Sequence, residues 1–147
     1  EPGTNGQHSF YQLLHQGTSI IPLQFIAFKE NQTGKDVVIQ DSTSQTKLCA
    51  NVVAQIVAFA CGKNDENPNK FFAGERPSSL IYGKQVSPKT IGALLAHYEN
   101  KVMFQGFLWN VNSFDQEGVQ LGKVLAKRVL AHETDGALKA YSDLFEI

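Results

Sequence analysis

The clearest pattern of apolar and polar positions lies in residues 47–61. Apolar side chains recur there at intervals of three and four, at Leu48, Val52, Ile56 and Phe59. This spacing is typical of one face of an α-helix, and the glycine that follows the segment is a common helix terminator. Because alanines fill much of the remaining surface, the pattern predicts a well-buried helix.

A second pattern predicts short strands. Residues 20–28 form an almost continuous apolar run of strand length, as expected for a strand buried on both faces in a parallel sheet. Pro22 favours the beginning of that strand over its centre, since proline has no N–H for the sheet. Residues 80–82 predict another strand, and 37–39 predict a short one within the polar loop 29–45.

Further helices are predicted at 10–17, with Gly17 as C-cap, and from Pro88 onward, and a last short helix is predicted in 131–147 after a break at 134–136. Residues 1–6 are rich in turn residues and predict a loop. Helices alternating with short apolar strands indicate an α/β fold with a mostly parallel sheet and C-terminal helices. Only two or three strands are visible, and a free-standing sheet usually has more, so the fold is expected to be incomplete by itself.

Residues 106–123 pass from apolar to polar sequence and then into a predicted helix that Asp115 could cap. Gln116 and Lys123 are seven residues apart, so they would stand two turns apart on nearly the same line of that helix. Helical geometry alone favours a solvated face. The preceding aromatic and Asn-rich segment 109–114 would, however, be costly to leave in water. Spacing therefore leaves both a surface face and a functional face open.

Composition narrows the class of protein. The 147 residues are 42% hydrophobic with ten Phe, enough for a core, and 13 basic against 14 acidic residues give a net charge of −1. No basic stripe is present for a phosphate backbone or a membrane surface, which argues against nucleic acid and lipid as partners. Cys49 and Cys61 would lie about 18 Å apart on one helix, too far for a disulfide, and predict buried thiols in a reducing compartment.

Targeting segments and common catalytic motifs are not visible. No run approaches the roughly 20 apolar residues of a membrane span, and the first residues lack the regions of a signal peptide. The chain also has no initiator Met, so we expect a cut chain or a portion of a longer protein. His8 and His15 have no third ligand at a known spacing, so no metal site is predicted. The nucleophile elbow, the dinucleotide fingerprint and the Walker A motif are absent.

The residues that carry most information form a long motif. Gly106-Phe107-Leu108-Trp109, followed by Phe114-Asp115-Gln116-x-Gly118-Val119-Gln120-x-x-Lys123, resembles the C-terminal signature of the glucose-6-phosphate isomerase family. The resemblance covers nearly the whole chain except the loops 29–46 and 63–72 and the tail. It includes further segments at 3–12, 15–18, Ile21-Pro22, Gly74-x-Arg76-Pro77 and 94–101.

The resemblance implies a fold and an activity. Residues 1–147 would be the C-terminal fragment of a two-domain isomerase of the sugar-isomerase (SIS) type, a three-layer fold that is incomplete in this chain alone. The family enzyme is a cytoplasmic homodimer of glycolysis and gluconeogenesis that needs no cofactor. It interconverts glucose 6-phosphate and fructose 6-phosphate through a cis-enediol. Extracellular signalling, known for some family members, has no distinguishing feature in this sequence.

The resemblance also implies roles for three residues. Glu1 matches the catalytic carboxylate that moves a proton between C2 and C1 of the open sugar, a task that needs a base able to return the proton. Without the motif, Glu1 would be an exposed terminal acid. Lys123 matches the lysine of ring opening, and Gln116 matches the glutamine that contacts substrate. An ammonium can stabilise the ring oxygen while an amide holds hydroxyl groups.

One departure from the family concerns a histidine in the loop after the first strand, which the family contributes across its dimer. Residues 29–45 contain no His, and the matching position falls near Gln32, whose amide cannot shuttle a proton. Either Lys123 and water open the ring, or the matching position lies elsewhere in the loop. The departure leaves an alternative open, a non-catalytic sugar-phosphate binding or regulatory module. The family's phosphate-binding loop and substrate arginine lie upstream of Glu1, so the isolated chain is expected to be inactive.

Overall fold

The chain folds into two compact units. The computed structural model describes all 147 residues and divides them into Glu1–Leu95 and Ala96–Ile147. The boundary falls inside a long helix, α4 (Pro88–Trp109), which begins at the proline that the sequence predicts as its first residue. All strands belong to the first unit.

The first unit opens with two short helices, α1 (Gly3–Gly6) and α2 (Tyr11–Gln16). The predicted loop over residues 1–6 is therefore wrong for most of its length. The Pro2 carbonyl accepts hydrogen bonds from the N–H groups of Asn5 and Gly6 at 3.1 and 3.0 Å, so proline, with its fixed φ, starts a helical turn here. The end of α2 at Gly17 is confirmed.

Helix α3 (Ser44–Cys61) is confirmed, although it begins three residues before the predicted position. Thr43 caps it because its hydroxyl oxygen accepts a hydrogen bond from the Thr46 N–H at 3.1 Å. Gly62 ends it at φ 65°, where a Cβ would lie 2.2 Å from the Phe72 carbonyl oxygen. The predicted burial is only partly observed: Phe59 is the one buried residue of α3, Val52 and Ile56 are half-buried, and Leu48, Val53 and Val57 are exposed.

The predicted parallel pairing is confirmed by strands β1 (Leu23–Phe28) and β4 (Ser78–Gly83). They pair in parallel from Leu23 opposite Ser78 to Phe28 opposite Gly83. Strand β1 begins after Pro22 and not at residue 20. Burial on both faces is not observed, because this sheet has two strands only and Ile26 remains 41% exposed.

The loop between β1 and α3 contains a hairpin of β2 (Val38–Ile39) and β3 (Ser42–Thr43). Gln40 and Asp41 connect the two strands with φ values of 52° and 59°. Positive φ at both positions is the geometry of a two-residue hairpin turn. The strand predicted over 37–39 therefore exists, but as one arm of a local hairpin.

The core of the first unit is small and centred on Phe59, which is fully buried. The His15 ring stacks on it with ring centres 3.9 Å apart and planes 11° from parallel. Arg76 donates hydrogen bonds to the carbonyl oxygens of His15 and Gly17 at 3.2 and 2.9 Å. The arginine of the Gly74-x-Arg76-Pro77 segment thus joins the end of α2 to the loop that leads into β4.

We expect the folded protein to lose stability in acid because of His15 in this core. Burial, and then the positive charge of Arg76, lower the pKa of His15. The folded protein therefore favours the neutral imidazole, and its stability is fully present above the ordinary histidine pKa of about 6.5. That stability is lost as the pH falls through the lower folded pKa. The urea midpoint should decrease between about pH 7 and about pH 5, and His15→Gln should flatten the decrease.

His8→Gln is the matched control for this pH dependence, because His8 is exposed. Its ring contacts the side chain of its neighbour Gln7 at 3.3 Å. His8→Gln should retain the wild-type dependence. Equal pH profiles for wild type and His15→Gln would contradict the role of His15.

The second unit contains the end of α4 and two further helices, α5 (Glu117–Leu130) and α6 (Gly136–Leu144), which contact each other. The break at 134–136 is confirmed. Asp115 as N-cap is wrong: Gln116 occupies that position, and no side chain caps the helix. A Cβ at Gly118 or at Gly122 would meet no atom within 4 Å, so packing within this chain does not require glycine at either position.

The chain buries few of its apolar side chains. Among the hydrophobic side chains, only Leu14 and Phe59 are buried. Both Cys residues are free. Cys49 is half-buried, while Cys61 is exposed, so the prediction of buried thiols is wrong for Cys61. No helix combines the length and the hydropathy needed to cross a membrane.

Candidate active site

A cavity of about 380 Å³ opens in the first unit at the carboxyl end of β1. In open α/β sheets this edge is where ligands usually bind, because loops and helix ends converge there. The cavity is bounded by the segment after Glu1, the end of β1, the following loop and the first half of α3. Its lining includes Pro2, Gly3, Thr4, Gln32, Gln45 and Asn51.

Glu1 immediately precedes this wall of the cavity. Glu1 is exposed, and its neighbours Pro2 and Gly3 line the cavity. Helix α1 fixes them, since the Pro2 carbonyl is bonded to two N–H groups of that helix. The carboxylate predicted as catalytic is thus attached to an ordered edge of the cavity.

Gln32, the position at which the family histidine would fall, lines the same cavity. The Gln85 side chain holds the backbone there by donating to the carbonyl oxygens of Asn31 and Gln32 at 2.7 and 3.0 Å. Because Gln85 follows β4, the ends of both parallel strands contribute to this wall. An amide at position 32 can orient a hydroxyl group but cannot accept and return a proton at neutral pH.

The opposite wall depends on the start of α3. Asp36 accepts a hydrogen bond from the Gln45 N–H at 2.9 Å, and this bond is the main cause of the lowered pKa of the Asp36 carboxyl group. The Gln45 amide in turn donates to the Phe28 carbonyl oxygen. Helix α3 is therefore attached to the end of β1, which keeps the two sides of the cavity together.

Gln116 and Lys123 belong to the second unit, and both are exposed. Lys123 lies in the middle of α5. Gln116 is the N-cap, with φ −135° and ψ 25°, so its backbone is not helical. The predicted two-turn alignment along one helix is therefore inexact, because one of its two members lies outside the helix.

The motif of residues 106–123 begins with a glycine, Gly106, that the backbone before α5 requires. The Val111 N–H donates to the Gly106 carbonyl oxygen at 2.9 Å, and a Cβ at Gly106 would lie 2.0 Å from the Ser113 hydroxyl oxygen. Only glycine permits this return of the chain onto α4. Trp109 and Phe114 remain 64% and 80% exposed, so the aromatic segment has no cover within this chain.

Asn51, Gln55 and Gln85 belong to no motif of the sequence. Asn51 lines the cavity, while Gln55 and Gln85 form hydrogen bonds to segments beside it. An isolated Asn or Gln in sequence is indistinguishable from an ordinary polar surface residue. The spacing of Asn51 and Gln55, one turn apart on an otherwise apolar helix, is the one available indication. No three His, Cys, Asp or Glu side chains are grouped where they could hold a metal ion.

The first unit is thus an α/β arrangement with a cavity of mixed polar and apolar lining at the carboxyl edge of a parallel strand pair, where α/β proteins commonly bind ligands. The sequence profile of the family described as Phosphoglucose isomerase matches residues 1–143. The chain therefore belongs to the phosphoglucose isomerase family.

Individual relatives agree with this membership. A glucose-6-phosphate isomerase of Treponema pallidum (strain Nichols) is 69% identical over 147 residues, which is 100% of this chain and 28% of the relative. One from Borreliella burgdorferi (strain ZS7) is 57% identical over 142 residues, covering 95% of this chain and 27% of the relative. The crystal structure of a glucose-6-phosphate isomerase from Chlamydia trachomatis D/UW-3/Cx matches with a TM-score of 0.84 and 51% identity, covering 98% of this chain and 28% of that one. The chain spans little more than a quarter of the length of these relatives.

Proposed function

We propose that this chain is the C-terminal part of a two-domain aldose–ketose isomerase that interconverts glucose 6-phosphate and fructose 6-phosphate. The observation that carries the proposal is the family match over residues 1–143, together with relatives of that name at 57–69% identity. We further propose a cytoplasmic homodimer with SIS-type domains. The exposed apolar side chains on α3, α4 and α5 are consistent with a chain that needs further protein to cover them.

The proposed chemistry is proton transfer through a cis-enediol. Glu1 removes the proton at C2 of the open-chain aldose and returns it to C1, which requires a carboxylate held within hydrogen-bond reach of both carbons. The ordered turn after Glu1 supports this role, because it limits where the carboxylate can move. Lys123 serves ring opening by stabilising charge on the ring oxygen, and Gln116 holds substrate hydroxyl groups.

A second function has a specific observation in its favour. Gln32 lines the cavity at the position where the family would place a histidine, so one proton-transfer group is replaced by an amide. A protein that binds sugar phosphates without turning them over would keep the cavity and lose the chemistry. This non-catalytic or regulatory module is the alternative to the isomerase.

The two functions are separated by measuring turnover and binding on the full-length protein. Isomerase turnover of glucose 6-phosphate, followed by the appearance of fructose 6-phosphate, is the expected result. Calorimetric binding of glucose 6-phosphate without turnover would favour the regulatory module. Neither binding nor turnover would contradict both.

The isolated 147-residue chain should show no turnover above the uncatalysed rate. It covers 28% of the length of its relatives, and much of its apolar surface has no cover. The same assay at equal molar concentration, with the full-length protein as positive control, measures this. Activity in the isolated chain would overturn the proposal that it is an incomplete fragment.

A further inference from the structure

Three amide side chains form a network beneath the segment that carries Glu1. Gln7 follows α1 directly, and its side-chain oxygen accepts hydrogen bonds from the Asn51 and Gln55 amides at 3.2 and 3.4 Å. Asn51 and Gln55 are one turn apart on α3, so they face the same direction. All three residues are half-buried, which makes their hydrogen bonds more costly to lose than surface contacts.

A short series of backbone hydrogen bonds connects this network to Glu1. The Gln7 N–H donates to the Gly3 carbonyl oxygen at 3.0 Å, and the Gly6 N–H donates to the Pro2 carbonyl oxygen at 3.0 Å. Gly6 itself is buried. The segment from Gln7 back to Pro2 is thus one hydrogen-bonded turn, and a single peptide bond separates Pro2 from Glu1.

Two donors on one acceptor fix the turn in more than one direction. A single hydrogen bond, or an apolar contact, would allow the turn to pivot on α3, whereas two donors from successive turns of the helix restrict that motion. Proton transfer is sensitive to such motion, since displacing a reacting group by about 1 Å can cost as much as 10²-fold in rate.

We propose that Gln7, held by Asn51 and Gln55, is a positioning residue that sets the placement of the Glu1 carboxylate. This inference rests on the proposed isomerase function, and it deepens that function by naming the residues that act through Glu1. None of the three amides needs to touch the reacting carbons. Asn51 also lines the cavity, so a direct substrate contact is the competing role for that residue.

The test compares variants of Gln7 in the full-length protein with glucose 6-phosphate as substrate. Gln7→Met keeps the length of the side chain and removes the acceptor, and it should lower kcat by about tenfold or more with KM within about twofold. Gln7→Glu keeps oxygen acceptors for both amides and should restore kcat to within about threefold of wild type. Gln12→Met is the matched control, because the Gln12 amide bonds only to Gln16 on the same helix.

A second variant, Asn51→Ala, keeps the test decisive if Gln7→Met does not fold. It should also lower kcat more than it raises KM. A raised KM with unchanged kcat would overturn the positioning role and assign Asn51 to substrate binding. Unchanged kcat in Gln7→Met, with Glu1→Gln inactive, would overturn this inference and leave the isomerase proposal intact. Full activity in Glu1→Gln would overturn both this inference and the assignment of Glu1 as the base, while the isomerase activity itself would stand.

Discussion

Glu1→Gln in the full-length protein should lower kcat for the conversion of glucose 6-phosphate by roughly 10³-fold, while KM changes little. Glutamine has nearly the shape of glutamate and keeps the hydrogen-bonding capacity of the side chain. It cannot accept the proton from C2, however, and general base catalysis contributes about 10²–10⁴-fold in enzymes. The effect should therefore fall on kcat, measured by steady-state kinetics in both directions.

The matched control for this substitution is Glu66→Gln, an exposed glutamate in the loop 63–72, where the resemblance to the family ends. It changes the same charge at a position away from the cavity lining and should leave kcat unaltered. An active Glu1→Gln protein would reject the carboxylate as the base. Because the turn from Pro2 to Gln7 does not use the Glu1 side chain for its hydrogen bonds, the variant should also keep its thermal stability.

Lys123→Ala is expected to have the second-largest effect, a decrease of about 10²-fold in kcat, as for the loss of one preorganised charge-stabilising donor. Lys123→Arg keeps the positive charge but changes the shape of the donor, so it should recover part of the activity. If Lys123 and water together open the ring, the substitution removes the charge that stabilises the ring oxygen. The measurement is turnover of the ring-closed sugar phosphate.

Lys127→Ala serves as control because Lys127 lies one turn further along α5 and is also exposed. The two variants remove the same charge from the same helix, so a general electrostatic effect would lower both activities equally. A decrease confined to Lys123→Ala is the expected pattern. Equal kinetics for Lys123→Ala and wild type would reject its assignment to ring opening.

The candidate site residues were named from motifs that combine a backbone requirement with a chemical one, and the structure accounts for the backbone requirement. Gly106 is required where the chain returns onto α4, and the signature beginning there leads to Gln116 and Lys123. The opening motif likewise contains both Glu1 and the glycine that is buried in α1. The amides of α3 could not be assigned in this way, because their function depends on Gln7, which is 44 residues away for Asn51.

The sequence predicted the presence of helices better than it predicted their first residues. The periodicity of α3 and the proline of α4 identify those helices, since local spacing and a missing N–H are properties of the sequence itself. The N-cap of α5 shifted from Asp115 to Gln116, and the predicted loop before Gln7 became a helix. In both places several polar residues could begin a helix, and hydrogen bonds formed in the folded chain selected one.

By itself the sequence determined the α/β class, the parallel strands and the family, because apolar periodicity and long motifs are local patterns. Tertiary structure alone decided that Gln32 lines a cavity beside Pro2 and that Asn51 and Gln55 hold Gln7. It also showed that strand β1 and helix α3, which the sequence predicts to be well buried, are only partly covered within this chain. The physical reason is that burial and hydrogen-bond partners depend on residues distant in sequence, whereas periodicity records only the preference of each segment for a face.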